Sequence, residues 1–312
     1  MDFAFFSAML SFFILFIPFF VAPSSAEQFG SLVTYLDTIN FDEEEGALLH
    51  PSFVMVAPPD NDIYVIDNNG RITIYTSDFF PVYTIKKGEY IQSPQGMAVD
   101  VEGNIYIAQA ASEGKPGRIS VFRQCLKWEH DIYMDGFEGS ADFSPARLAV
   151  DKKGFIYVVS SYFPGVLVLD NTGRMVDIMA PEERGSKAKM NNVTIDREGS
   201  IYLLSEDAGR VYAYDENRKF LYKFGEKGGS SGKLSRPKAV AVDARTSRKY
   251  IVDYMRHTVT VYDKEGNFIY EFGGMGWREG WFQYPVDITI DSEGRIFVAD
   301  LFNDRVQIFN SW

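Results

Sequence analysis

The residues able to do chemistry in this chain are few, and most of them recur. Asp100, Asp151, Asp196, Asp263 and Asp291 each open an Asp-x-x-Gly tetrapeptide, closed by Gly103, Gly154, Gly199, Gly266 and Gly294. Carboxylates can serve as general acids or bases, but a group repeated at one place in successive units serves the unit. The Asp side chain accepts backbone N–H groups ahead of it, and the Gly takes the positive φ that closes a hairpin. Metal chemistry has little to draw on. A catalytic zinc needs three converging protein ligands, and the chain has three histidines, His50, His130 and His257, in separate units. Cys125 is the sole cysteine, which excludes an intramolecular disulfide and a Cys-based metal site; it is expected as a small buried hydrophobe. No catalytic residue, metal ligand or cofactor is assigned.

The elements that must position these groups show themselves as a repeat. In each unit an alternating strand, ending at Asp100, Asp151, Asp196, Asp243 or Asp291 in all but the first, is followed by a second whose aromatic marks the phase: Tyr64, Tyr106, Tyr157, Tyr202, Tyr250 and Phe297. The intervals are 42, 51, 45, 48 and 47 residues. A period in the forties with several short strands per unit is that of a β-propeller blade. The expected fold is therefore all-β, with six four-stranded antiparallel blades over residues 27–312. The sixth repeat supplies three strands, at residues 287–291, 296–300 and 306–310. One strand is left over before the first repeat, at residues 32–39. Placing it on the edge of the last blade closes the ring and removes an open edge.

Alternation along each inner strand separates two sets of positions. One and three residues before the turn position, side chains are large and apolar, as in Met97 and Val99, and these are expected between blades. Two and four residues before it, they are expected to face the axis. There Ala98, Ala149, Thr194, Ala241 and Thr289 suit a narrow throat. Gly96, Arg147, Asn192, Ala239 and Asp287 diverge, and blade building does not require divergence. Arg147, Asn192 and Asp287 are thus candidate binding residues at the channel mouth, although one Asp with one Asn is thin coordination for calcium. His50, beside Pro51 at the start of an inner strand, could join them; His257 sits in a repeat slot, and His130 in a charged outer strand.

A second candidate surface lies on the loops of the same face. The connection into the sixth blade carries Trp277, Trp281, Phe282 and Tyr284. Loops between second and third strands add Tyr162, Phe163, Tyr254 and Phe302. Aromatics rimmed by Arg256, Arg278 and Glu279 suit a protein, peptide or glycan contact. Trp281 and Phe282 have packing between blades as their alternative.

Charge excludes one class of partner. The net charge is -12, from 31 Lys and Arg against 43 Asp and Glu. No basic stripe exists to meet phosphates, so nucleic acid is not expected. The acidity is local: residues 1–70 hold ten of the acids and no Lys or Arg. Residues 1–26 read as a signal peptide. An apolar run over 3–22 is followed by Ser24-Ser25-Ala26, small residues suited to cleavage. Asp2 replaces the usual positive charge, and the run is long enough to span a bilayer, so a retained anchor is the alternative and the only expected tie to a membrane. Either way the propeller is expected outside the cytoplasm.

Residues 272–309 and 224–262 resemble the NHL repeat, with Arg256-His257 in the family's Asn-His slot before the third strand. The resemblance spans roughly residues 30–312 and fades toward the first repeat, where Ala57-Pro58-Pro59 replaces the turn Asp. It implies a six-bladed propeller that binds other molecules: protein partners, RNA in some animal members, peptides in an amidating lyase. The lyase branch uses a metal held by several His, and lactonase-type propellers use calcium held by carboxylates and Asn. The expected function is an exported scaffold for a protein partner in an envelope or extracellular assembly. The alternative is a metal-dependent lyase or lactonase-like enzyme with its site at the channel mouth.

Overall fold

The computed structural model describes residues 32–311, apart from 45, 59, 89, 124, 125 and 161. The proposed signal segment and Cys125 lie outside the described residues. Six four-stranded antiparallel sheets follow one another along the chain as blades 1 to 6. Their innermost strands are Phe53–Ala57, Pro94–Val99, Pro145–Val150, Asn192–Ile195, Pro237–Val242 and Pro285–Ile290. Blade 6 takes its outer strand from the start of the propeller: Val33–Ile39 runs antiparallel to Arg305–Ser311, with Ile39 opposite Val306 and Val33 opposite Ser311. The leftover strand does close the ring, with one register shift between Tyr35 and Asp37.

The apolar core is divided among the seams. Among the described residues, one cluster of buried side chains lies between each pair of consecutive blades. In blade 2, Met97 packs toward blade 1 with Phe53 and Ile66, while its neighbour Ala98 packs toward blade 3 with Leu148 and Ile156. In blade 5, Val240 faces blade 4, and Ala239 and Ala241 face blade 6. Alternation thus sends both sets of inner-strand side chains into seams, because each sheet stands radially and presents both faces to neighbours. The expected division into axis-facing and seam-facing positions does not hold. The last seam joins Ile39, Val306 and Ile308 to Val54, Ile63 and Val65 of blade 1.

The turn aspartates work as their spacing implies. Asp100 Oδ1 accepts the N–H groups of Glu102 (3.0 Å) and Asn104 (2.8 Å), and Asp291 does the same for Glu293 and Arg295. Gly103 and Gly294 both have φ of +82°, a region an L side chain rarely adopts. The second carboxylate oxygen has its own partner in three blades: Tyr106 OH donates to Asp100 (3.1 Å), Tyr157 to Asp151 (3.1 Å) and Tyr202 to Asp196 (3.0 Å). The phase-marking tyrosine and the turn Asp are therefore one device. It locks the inner hairpin while the ring fills a seam.

Two outcomes test this architecture. Tyr202→Ala should cost about 3–5 kcal/mol through the lost ring, and Tyr202→Phe about 0.5–1.5 kcal/mol through the lost hydrogen bond, both read from urea unfolding. Deleting residues 32–39 opens one seam and bares the edge of Arg305–Ser311, so the melting temperature should fall severely; an unchanged value contradicts closure by that strand.

Candidate functional site

The inner strands surround a central cavity of about 270 Å³. Arg147, Asn192 and Asp287 all line it near the start of their strands. The polar ends of Arg147 and Asp287 also bind across seams. Arg147 of blade 3 donates through Nη1 to Gln95 O of blade 2 and through Nη2 to Ser52 O at the entry to blade 1 (3.0 Å). Its guanidinium lies 5.4 Å from the Phe53 ring centre. Asp287 is 3% exposed, and its Oδ2 accepts the Val54 N–H at 3.0 Å, joining blade 6 to blade 1. Asn192 is buried, and below it the Thr194 hydroxyl donates to Val240 O at 2.7 Å. Arg147 and Asp287 are thus ties between blades as well as cavity lining, whereas in blade 4 the tie is made by Thr194.

Asp287 is the most perturbed of these groups. Burial pushes its carboxyl up to about 6, against the opposing pull of the Arg147 charge and of the Val54 and Ile288 N–H groups. A folded pKa above the unfolded value means that folding takes up a proton between about pH 4 and 6. This group's contribution to stability therefore falls as pH rises through that window and is flat above it. Asp287→Asn keeps an acceptor for the Val54 N–H and removes the buried charge. It should gain on the order of 1–3 kcal/mol at neutral pH and flatten the pH dependence of urea unfolding. A loss of stability at neutral pH would contradict this assignment.

The aromatic loop is a built feature. Residues 274–282 fold on themselves: Phe282 N–H donates to Gly274 O (2.9 Å) and Gly276 N–H to Phe282 O (3.0 Å). A Cβ on Gly273 would stand 2.6 Å from the Phe282 ring, so the Gly-Gly pair admits this close approach. Trp277 and Trp281 are 70% and 44% exposed. Phe282 is 0% exposed and packs with Phe309 between blades 5 and 6. It is not a contact residue; the turn that presents the tryptophans needs one apolar anchor, and Phe282 supplies it.

A row of rings continues from this loop across the face. Tyr254 meets Tyr284 at 4.7 Å, Tyr284 meets Phe302 at 5.4 Å, and Phe302 meets His50 at 5.1 Å. Tyr254 and Tyr284 are half-buried and Phe302 is exposed. Arg236 and Lys238 stand over the Tyr254 ring at 5.4 and 5.3 Å. The row spans blades 5, 6 and 1. Four non-glycine residues in or beside it, His50, His257, Tyr284 and Asp304, have φ between 48° and 56°. Left-handed backbone at non-glycine residues is uncommon and tends to gather at functional sites. Phe163 instead packs with Phe137 and Phe143, and the exposed Tyr162 lies beside that separate cluster.

Two buried carboxylates wire these loops, and reasoning from the sequence alone misses both. Asp300, at the end of the second strand of blade 6, accepts Gln283 N–H (2.6 Å), Asn303 Nδ2 (2.7 Å) and Arg305 Nε (2.9 Å). Arg305 in turn donates to the carbonyls of Arg278 and Trp281. Burial raises the Asp300 pKa, with the Asn303, Gln283 and Arg305 contacts opposing. Asp253 is the corresponding hydrogen-bond hub in blade 5, accepting the N–H groups of Ser235, Arg236, Met255 and Arg256. The only signal in the residues is an Asp ending the second strand in both repeats.

The histidines lie apart. His50 Nδ1 is 2.7 Å from Asp304 Oδ1. His257 Nδ1 accepts the Tyr284 N–H at 3.0 Å, and burial lowers its pKa. His130 is on the surface beside Glu129. Among the described residues no three His, Cys, Asp or Glu side chains are grouped so as to hold a metal.

Sheet order, seams and closure define a six-bladed β-propeller. Residues 282–309, in the last blade, match the model of the NHL repeat. No curated protein sequence matches it. Similar solved structures include an auxiliary nutrient binding protein from Bacteroides thetaiotaomicron, at 13% identity and TM-score 0.68 over 89% of this chain and 76% of that one. Another, from Bacteroides ovatus, shares 16% identity at TM-score 0.67 over 90% and 76%. Virginiamycin B lyase from Staphylococcus aureus shares 11% at TM-score 0.61 over 90% and 99%. At these identities the likeness is one of fold.

Proposed function

We propose that this chain is an exported binding scaffold, and that the face carrying Trp277, Trp281, Tyr254, Tyr284 and Phe302 receives a protein or peptide partner in an envelope or extracellular assembly. The observation that carries the reading is the exposed tryptophan loop, held in one shape by its own hydrogen bonds and by the Asp300–Arg305 tie. Large aromatics held rigidly lose little conformational entropy on binding, and such residues dominate interface energetics. The ring row and the cations over Tyr254 extend the same surface toward the channel mouth, where Arg147, Asn192 and Asp287 line the opening. Binding is also the role printed in the names of the two Bacteroides proteins of this fold. Export rests on the apolar run and small-residue exit of residues 1–26. Among the described residues no helix is long and apolar enough to cross a membrane.

Affinity capture from the envelope fraction with mass spectrometry should return a specific partner. Trp277→Ala and Tyr254→Ala should each weaken that complex by about 2 kcal/mol or more, roughly thirtyfold in Kd, without lowering the melting temperature. Undiminished capture by both well-folded variants would place binding elsewhere, with the acidic segment at Asp42 to Glu44 next to be changed.

A further inference from the structure

An acidic chain would be expected to present acidic clefts, yet one cleft reverses the balance. It has a volume of about 430 Å³ and lies between the connection from blade 3 to blade 4 and the loops of blade 4. Its outer lip is a short hairpin, Glu182–Glu183 paired with Ser186–Lys187. Arg184 and Gly185 close it with φ of +53° and +82°, the two positive values of a tight two-residue turn. Behind the lip, Ala188 N–H donates to Pro181 O (2.8 Å), and Ala188 and Met190 are buried in the core between blades 3 and 4. The backbone of the lip is therefore anchored.

Arg184, Lys187, Lys189, Arg210 and Lys227 all line this cleft, against Glu183, Asp207 and Glu226. Two of those carboxylates are engaged by groups outside the lining. Glu183 accepts the Tyr212 hydroxyl (2.8 Å) and Lys223 Nζ (3.0 Å), and Glu226 pairs with Lys233 (2.7 Å). Among the described residues, no carboxylate pairs with Arg184, Lys187 or Lys189. Arg210 pairs with Glu183, Nε to carboxylate 3.8 Å, so that one carboxylate is shared among Arg210, Lys223 and the Tyr212 hydroxyl and the other cations of the lining stand in excess.

We propose that this cleft binds a small multivalent oxyanion, a polyphosphate or polycarboxylate. The lining has no aromatic ring to stack on a sugar, and its apolar side chains are Ala188 and Ala208 alone. What it offers is several ammonium and guanidinium groups lining one cleft together with the Ser205 hydroxyl, groups that recognise clustered anionic oxygens. This site is separate from the aromatic surface, and either can fail without the other.

Calorimetric titration of the purified chain at low ionic strength, with pyrophosphate, citrate and acetate as probes, tests it. Pyrophosphate or citrate should bind saturably at one site, and which of the two binds tighter tells the phosphate source from the carboxylate source. Acetate should bind far more weakly. The double variant Lys187→Ala/Lys189→Ala should lose about tenfold or more in affinity, since charge-assisted hydrogen bonds are the stronger class. Arg184→Gln, at the exposed turn, is a second variant expected to weaken binding. Lys264→Ala, an exposed lysine outside the cleft, should change nothing. No saturable binding of either polyanion, unchanged affinity in the lip variants, or an equal loss in Lys264→Ala would each overturn the proposal.

Discussion

A radial sheet has two faces to bury, and only a closed ring supplies a neighbour for both. Every blade here buries one face against the blade before it and the other against the blade after it. Five of the seams join blades that are consecutive in the chain. The last must join residues more than two hundred positions apart, and it does so through Val33–Ile39 on the edge of blade 6 and Ile39 in the seam with blade 1. Without that strand, blade 6 would keep an open edge and the last seam would lose a side chain that is 1% exposed. At the axis a polar tie falls at the same junction, where Asp287 of blade 6 accepts a backbone N–H from blade 1; Arg147 of blade 3 reaches the entry to blade 1 from across the cavity.

Closure frees the loops on one face from structural duty. The hairpins on the other face are fixed by turn aspartates, and three of those also hold a tyrosine in a seam. On the loop face, Asp253 and Asp300 take over as hubs, gathering backbone and side-chain donors from two connections each. A buried carboxylate is tolerated when its oxygens are fully hydrogen-bonded, and these two meet that condition. Asp300 fixes the shape of the tryptophan loop without touching the tryptophan side chains. The proposed binding surface is therefore preorganised by buried carboxylates that are not part of it.

Much of this is legible in the residues because it repeats. The period of the aromatic anchors, the Asp-x-x-Gly turns and the unpaired strand at residues 32–39 are enough for blade number, turn chemistry and closure. Three things are not legible, each for a physical reason. Alternation identifies two faces of a strand but not what each face meets, so Asp287 and Arg147 look axis-facing when their polar ends also cross seams. Trp277 and Phe282 look alike as loop aromatics, and only the fold of the loop sends one outward and the other inward. The hairpin at residues 182–187, which lips the cation-rich cleft, lies in a connection outside the repeat, where no periodicity marks it.

Hydrogen exchange measured by mass spectrometry on the intact chain tests closure most directly. The account predicts that amides of residues 33–39 exchange as slowly as those of residues 305–311, because both strands open only when the ring opens. Rapid exchange of residues 33–39 beside a protected 305–311 would show that the terminal strand frays independently and that the ring does not depend on it.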